Sequence, residues 1–324
     1  MDAFGRTVDY LRISVTDRCN ERCLYCMPEG YKGWERKPDH LTAGEILRVV
    51  RVAAGMGFRK FRLTGGEPLV RADLSDLVRG MAAIPGVERI GLSTNGTRLA
   101  VLAQPLRDAG LSTVNVSLDA LSTAVYRRIT GGDVNTVLAG VRAAMAAGFE
   151  RVKLNCVLMR GVNEQEIWPL VIFAAEHGLP LRLIELMPVT TTDVLTNANF
   201  FPIEEAKDLL AQRDELIAQA SSYLGWGPAK YYRLRHTGVL VGFIGAMTTP
   251  HFCETCNKMR LTADGKVRPC LGDHGEIDLR DTLRHATDDA AVRSLLQIAL
   301  QRKPLEHSFR SAYQPCRPMT AIGG

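Results

Sequence analysis

Tyr10-Leu11-Arg12-Ile13-Ser14-Val15 is followed shortly by Cys19-Asn20-Glu21-Arg22-Cys23-Leu24-Tyr25-Cys26. The first segment alternates apolar and polar side chains and reads as a β-strand. It therefore delivers the chain into a loop carrying three thiols. Thr42-Ala43-Gly44-Glu45 then has the form of a capping box and opens a helix running to about Met56. The unit repeats downstream. Strands are predicted at Phe58–Leu63, Arg89–Ser93, Thr113–Leu118, Arg151–Leu158 and Leu181–Met187. Helices are predicted from Asp73, over Arg98–Ala109, over Val134–Ala147 as the main part of a split helix, and over Glu164–His177. Strands alternating with helices of this length imply right-handed crossovers and a parallel sheet. Six units fall short of eight, so the expected fold is α/β: an incomplete (β/α)6 barrel or an open curved sheet.

After Pro188 this rhythm stops. Short strands are predicted at Tyr231–Leu234, Val239–Ile244, Met259–Thr262 and Lys266–Arg268, with a helix near Asp288–Gln301. The loop Thr190–Phe201 is uninformative. Two domains are expected, residues 1–189 and 190–324. The 324 residues are 46% hydrophobic and 23% charged, which excludes a disordered chain. Forty Lys and Arg against 35 Asp and Glu leave a net charge of +5. That suits an anionic ligand but is too weak to argue for nucleic acid. No apolar run approaches the ~18 residues of a membrane span, and the N-terminus lacks a secretory apolar stretch. A cytoplasmic protein is expected.

Eight cysteines stand at 19, 23, 26, 156, 253, 256, 270 and 316, six of them in two groups of three. Such grouping in a long chain favours metal or iron–sulfur ligation over disulfides. Cys19, Cys23 and Cys26 follow the first strand, at the edge where α/β folds bind ligands. They can hold three irons of a cubane and leave the fourth open, or serve as a structural zinc loop. Thr64-Gly65-Gly66-Glu67-Pro68 follows the second strand, and glycine there lets backbone approach a ligand closely. Cys253, Cys256 and Cys270 read as a second metal group, or as a zinc ribbon completed by His251 or His274. Lys153 and Asn155 share one face of their strand, and Leu154 and Cys156 the other.

Cys19-x3-Cys23-x2-Cys26 with Tyr25 before the last thiol, together with Gly65-Gly66-Glu67-Pro68, resembles the radical S-adenosylmethionine (SAM) superfamily. Cys253 to Leu271, Tyr10 to Ser14, Arg62-Leu63-Thr64 and the terminal Ile322-Gly323-Gly324 are similar to the GTP 3′,8-cyclase family, so the resemblance runs nearly end to end. It implies a radical SAM barrel with a C-terminal iron–sulfur module, two [4Fe-4S] clusters, and SAM cleaved to a 5′-deoxyadenosyl radical. Tyr25, Gly66, Ser117 and Met187 match SAM-side positions. Arg12, Arg62, Ser93, Lys153, Lys258, Met259 and Arg260 match the GTP side, with Arg182 as a further triphosphate candidate. Gly323 and Gly324 match a tail expected to thread into the active site and act on the chemistry. The reaction implied is a lyase step joining C3′ to C8 of GTP, giving (8S)-3′,8-cyclo-7,8-dihydroguanosine 5′-triphosphate, the first step of molybdenum cofactor biosynthesis. Implied partners are a low-potential electron donor and a downstream cyclic pyranopterin monophosphate synthase, with no membrane and no nucleic acid. A homodimer is left open. Lys258 stands where the family commonly has arginine, and Ser93 where it usually has threonine. The nearby Arg268 is a candidate to assist Lys258, and Cys316 matches no family role.

Two other readings compete. A peptide-modifying radical SAM enzyme would also carry extra C-terminal clusters, but no further cysteine group is present. A zinc-stabilised RNA-binding module lacks a basic–aromatic stacking motif.

Overall fold

A computed structural model of the chain describes residues 1–27, 39–189, 196, 198–220, 227–311 and 313–323. Strands and helices alternate as the sequence predicts: β1 (Tyr10–Ser14), α1 (Ala43–Gly55), β2 (Lys60–Thr64), α2 (Leu74–Ala82), β3 (Arg89–Thr94), α3 (Leu99–Asp108), β4 (Thr113–Ser117). Then come α4 (Thr123–Thr130), α5 (Val134–Ala146), β5 (Arg151–Leu158), α6 (Ile167–Glu176) and β6 (Leu181–Glu185). The capping box is formed: the Thr42 hydroxyl accepts from the Glu45 amide, and the Glu45 carboxylate accepts from the Thr42 amide. β1 to β6 pair in sequence order and all run parallel.

The remaining elements are α7 (Ile203–Ala211), β7 (Leu216–Ala218), β8 (Lys230–Leu234), β9 (Leu240–Ile244), β10 (Lys258–Leu261), β11 (Lys266–Arg268), β12 (Ile277–Asp278), α8 (Arg280–His285), α9 (Asp289–Gln301) and α10 (Met319–Ile322). Their strands extend the first sheet. β10 lies parallel beside β1 and β9 parallel beside β6, giving one 12-stranded sheet ordered β12-β11-β10-β1-β2-β3-β4-β5-β6-β9-β8-β7. Among the described residues its two ends do not pair, so the barrel is incomplete. Both edges of the six-stranded core are thereby covered by C-terminal residues, which answers the exposure of unpaired strand edges.

Alternation along each strand separates two environments. Leu11 and Ile13 of β1, Leu154 and Cys156 of β5, and Met259 and Leu261 of β10 are fully buried in the main hydrophobic core. Arg12, Lys153, Asn155, Lys258 and Arg260, on the opposite faces, line a cavity. No helix among the described residues is long and apolar enough to cross a membrane.

Candidate functional site

Strand register brings the cations together. Arg12 is the in-register partner of Arg62 on β2 and of Arg260 on β10, so three guanidinium side chains stand abreast across adjacent strands. Like charges side by side on a sheet are destabilising. Arg62 is held in place by donating to the Leu92 carbonyl at 2.6 Å and to the Thr113 hydroxyl at 3.2 Å. Gly91 gives it room, since a Cβ there would lie 2.5 Å from the Arg62 Nη2. Lys153 Nζ reaches the Tyr231 hydroxyl at 3.4 Å.

These side chains line a cavity of about 460 Å³ together with Ser93, Lys258, Arg89, Arg151, Arg182 and Lys303. Ser117 and Met187 line it from the ends of β4 and β6. No Asp or Glu is among its described lining residues. Burial, and then the charges of Arg182, Arg151 and Arg62, bring Lys153 down to about 6. Burial also lowers Arg12, Arg182 and Arg260. The Nε of Arg12 and the Nε and Nη2 of Arg182 are buried without hydrogen-bond partners. Buried charges without counter-charges are costly. This arrangement is stable in the presence of a multiply charged anion bearing several acceptor oxygens, and a triphosphate fits it.

Cys253, Cys256 and Cys270 open onto the same cavity. Burial alone would raise Cys256, but Lys303 and Lys258 together bring its thiol below the ordinary range. Neither histidine considered as a fourth ligand joins them. His251 pairs with Glu254 at 2.6 Å, and His274 Nδ1 lies 3.3 Å from the exposed Cys316. Arg268 is fully buried on β11, outside the lining of the cavity, with Glu276 at 3.3 Å and the Tyr313 hydroxyl at 3.3 Å.

The first cysteine group sits outside the lining of this cavity, on the loop after β1. Burial raises all three thiols, Cys26 to about 12. This loop is built by the glycine segment. The Gly66 amide donates to the Thr16 carbonyl at 2.9 Å, and the Glu67 amide to the Arg18 carbonyl at 2.7 Å. A Cβ on Gly65 would lie 2.2 Å from the Thr16 carbonyl oxygen, and one on Gly66 2.3 Å from that of Arg18. What these glycines approach is the cysteine loop itself. Glu67, which the sequence reading left without a role, accepts from Thr94 Oγ1 at 2.7 Å and from the Asn95 amide at 2.7 Å, joining this segment to the end of β3. Burial pushes it up to about 7. The Tyr25 hydroxyl donates to Asp119 at 2.7 Å. Three free thiols on a loop rigidly seated at the C-terminal strand edge suit iron–sulfur ligation. Among the described residues no three His, Cys, Asp or Glu side chains converge on one metal ion. A cubane places its ligands further apart than a single ion does, because each thiolate binds a different iron.

One matched residue turns its side chain away from the cavity. Met259 has its side chain in the core, fully buried, so only its peptide group can face a ligand. Gly324 lies outside the described residues. Gly323 lies beside the cavity-lining Arg260. With φ +84° it sits so close to β1 and β2 that a Cβ would lie 2.7 Å from Thr64 Cγ2 and 3.2 Å from Ser14 Cβ. Its carbonyl accepts from Arg260 Nη1.

Residues 13–174 match the family model of the Radical SAM superfamily, and residues 179–309 that of Molybdenum Cofactor Synthesis C. A protein of Moorella thermoacetica named GTP 3′,8-cyclase is 45% identical over 324 residues, covering all of this chain and 99% of its own. GTP 3′,8-cyclase 1 of Pseudomonas aeruginosa is 44% identical over 332 residues with the same coverage. Among solved structures, Streptococcus suis SuiB bound to precursor peptide SuiA superposes with a TM-score of 0.62 at 16% identity, over 94% of this chain and 67% of its own. Native anSMEcpe with bound AdoMet gives 0.55 at 16% identity, over 87% and 82%. Likeness at that identity speaks for the fold alone, whereas the full-length matches speak for descent. The chain belongs to the radical SAM superfamily and, within it, to the GTP 3′,8-cyclase family.

Proposed function

We propose that the protein is a GTP 3′,8-cyclase, a radical SAM lyase that converts GTP to (8S)-3′,8-cyclo-7,8-dihydroguanosine 5′-triphosphate at the first step of molybdenum cofactor biosynthesis. The observation that carries this reading is the cation-lined cavity, with no Asp or Glu among its described lining residues, that runs from the parallel strands to the second cysteine group. In it Arg12, Arg62, Lys153, Arg182 and Arg260 hold the triphosphate, and Ser93 and Lys258 contact the nucleotide. Cys19, Cys23 and Cys26 hold one [4Fe-4S] cluster with SAM beside Tyr25, Gly66, Ser117 and Met187. Cys253, Cys256 and Cys270 would hold a second, on the guanine side of the GTP site. When bound, the first cluster and SAM supply the one-electron chemistry that removes a hydrogen atom from C3′. The chain fixes the ribose and base so that C3′ and C8 can meet, and closes the site with the tail ending at Gly323 and Gly324. Such positioning is a major source of rate enhancement.

Labour divides near residue 190, with residues 1–189 serving SAM and residues 190–324 completing the second cluster and the GTP site. A low-potential donor supplies electrons, and a cyclic pyranopterin monophosphate synthase takes the product. Eight thiols, none in a disulfide, suit a reducing cytoplasm. The test is anaerobic incubation with SAM, a reductant and each nucleoside triphosphate in turn. 5′-Deoxyadenosine should form together with a cyclised nucleotide from GTP and from no other. Formation independent of the nucleotide added would overturn the assignment.

A further inference from the structure

Lys303 follows α9 and is only 2% exposed. Its ammonium donates to the Lys258 carbonyl at 2.8 Å and to the Pro269 carbonyl at 2.9 Å. Lys258 lies two residues beyond Cys256, and Pro269 directly precedes Cys270. One buried cation therefore ties together the two segments that carry these thiols. Arg6 makes the matching contact on the third: it donates to the Cys253 carbonyl at 3.0 Å and to the carbonyls of Pro304 and Leu305 at 2.6 and 2.7 Å. No carboxylate among the described residues pairs with Lys303. A buried ammonium needs a counter-charge, and the thiols of Cys253, Cys256 and Cys270, anionic once they ligate a cluster, lie on the segments that Lys303 and Arg6 bind.

We propose that Lys303 is the positioning residue and buried counter-cation of the C-terminal cysteine site: it sets the spacing of the Cys256 and Cys270 segments and balances the negative charge of the thiolate-bound cluster. The proposal rests on the second cluster of the preceding section. The fixed positive charge stabilises the more negative, reduced state, so its loss shifts the reduction potential of that cluster to more negative values.

The test uses full-length protein in which Cys19, Cys23 and Cys26 are alanine, so that only the C-terminal cluster gives a signal. Lys303→Met, Lys303→Gln and Lys303→Arg are compared by iron content, spectroscopic redox titration and rate of iron loss to a chelator. Met and Gln should shift the potential downward and speed iron loss about 10–100-fold, the usual effect of losing an outer-sphere partner. Arg should keep the parental potential. If the Met variant does not fold, the Gln and Arg pair decides, because only one of them retains the charge. Parental potential and iron retention in the Gln variant overturn the role of Lys303. A triple-alanine parent that binds no iron overturns the second cluster itself, and the proposal with it.

Discussion

Arg317 grips the turn residue Asp264 with both terminal nitrogens, Nη1 standing 3.1 Å from Oδ1 and Nη2 bonded to Oδ2. The turn joins β10, which carries Arg260, to β11. Arg317 also lies two residues before α10, whose last turn leads Gly323 to the Arg260 guanidinium. The same hairpin thus holds the tail at both ends.

Arg317→Met should release the tail while leaving iron content unchanged. A charge-assisted contact of this kind is worth roughly 1.5–3 kcal/mol. Amide exchange at residues 319–322 should therefore accelerate roughly tenfold to a hundredfold, and product formation should fall with it. Exchange at the parental rate would show that other contacts seat the tail.

Lys153 should take up a proton when GTP binds. Its pKa in the free protein is depressed to about 6, so at pH 8 the amine is mostly neutral. A triphosphate beside it favours the ammonium form. Calorimetry at pH 8 in buffers of different ionisation enthalpy should report uptake approaching one proton in the parent and less in Lys153→Met. The sign carries to stability: between about 6 and the unfolded value near 10.5 the unfolded chain binds the extra proton. This residue therefore favours the folded state increasingly as pH rises through that window. Binding heats independent of the buffer would refute the coupling.

Gly66→Ala should cost the first cluster rather than the fold. The added Cβ would lie 2.3 Å from the Arg18 carbonyl oxygen, which neither backbone can accommodate in place. The cysteine loop must move, while the core strands β1 and β2 remain paired. The expected result is loss of about half the iron of the two-cluster protein, with a melting temperature lowered by only a few degrees, the effect of about 1 kcal/mol in a domain of this size.

Cys23→Ala and Cys256→Ala should separate the two cysteine groups. The first should abolish reductive cleavage of SAM. The second should leave cleavage partly intact while abolishing GTP cyclisation. A Cys256→Ala variant making cyclised nucleotide at the parental rate would end the substrate role assigned to the second cluster.

The six parallel strands were legible because their side chains obey local rules: alternation, capping residues and turn residues between them. α7 was not legible. Its start at Ile203 has Pro202 at the cap position and no capping side chain of its own. The missing acceptor comes from β6, where Glu185 takes the Ile203 amide at 2.9 Å. The short β7 and β12 likewise exist through pairing with β8 and β11. At the site, Arg12, Arg62, Lys153 and Arg260 could be named because they match family positions and sit on strands of known phase. The alignment of Arg12, Arg62 and Arg260 in one register could not, since β1 meets β10 across nearly the whole chain. Glu67 and Lys303 were missed for a related reason: each acts by hydrogen-bonding backbone that is distant in sequence. Met259 shows the converse, a neighbour of two cavity residues carried to the other face by alternation.

The pairing of β1 with β10 also bears on how the molecule assembles. Tyr10 to Ile13 meet Lys258 to Leu261, so the strand that begins the sheet waits for residues near the far end of the sequence before its second edge is satisfied. Contacts of such long sequence separation form slowly, because a large loop must close before they reward it. During synthesis β1 can pair with β2 early, yet its other edge, with the backbone groups of Tyr10 to Ile13, stays unpaired until β10 arrives. That interval is when the chain is most exposed to misassociation through an unpaired strand. It is also when the thiol-bearing loop beyond β1 is least enclosed, so the order of folding leaves a period in which iron and sulfide can still reach it.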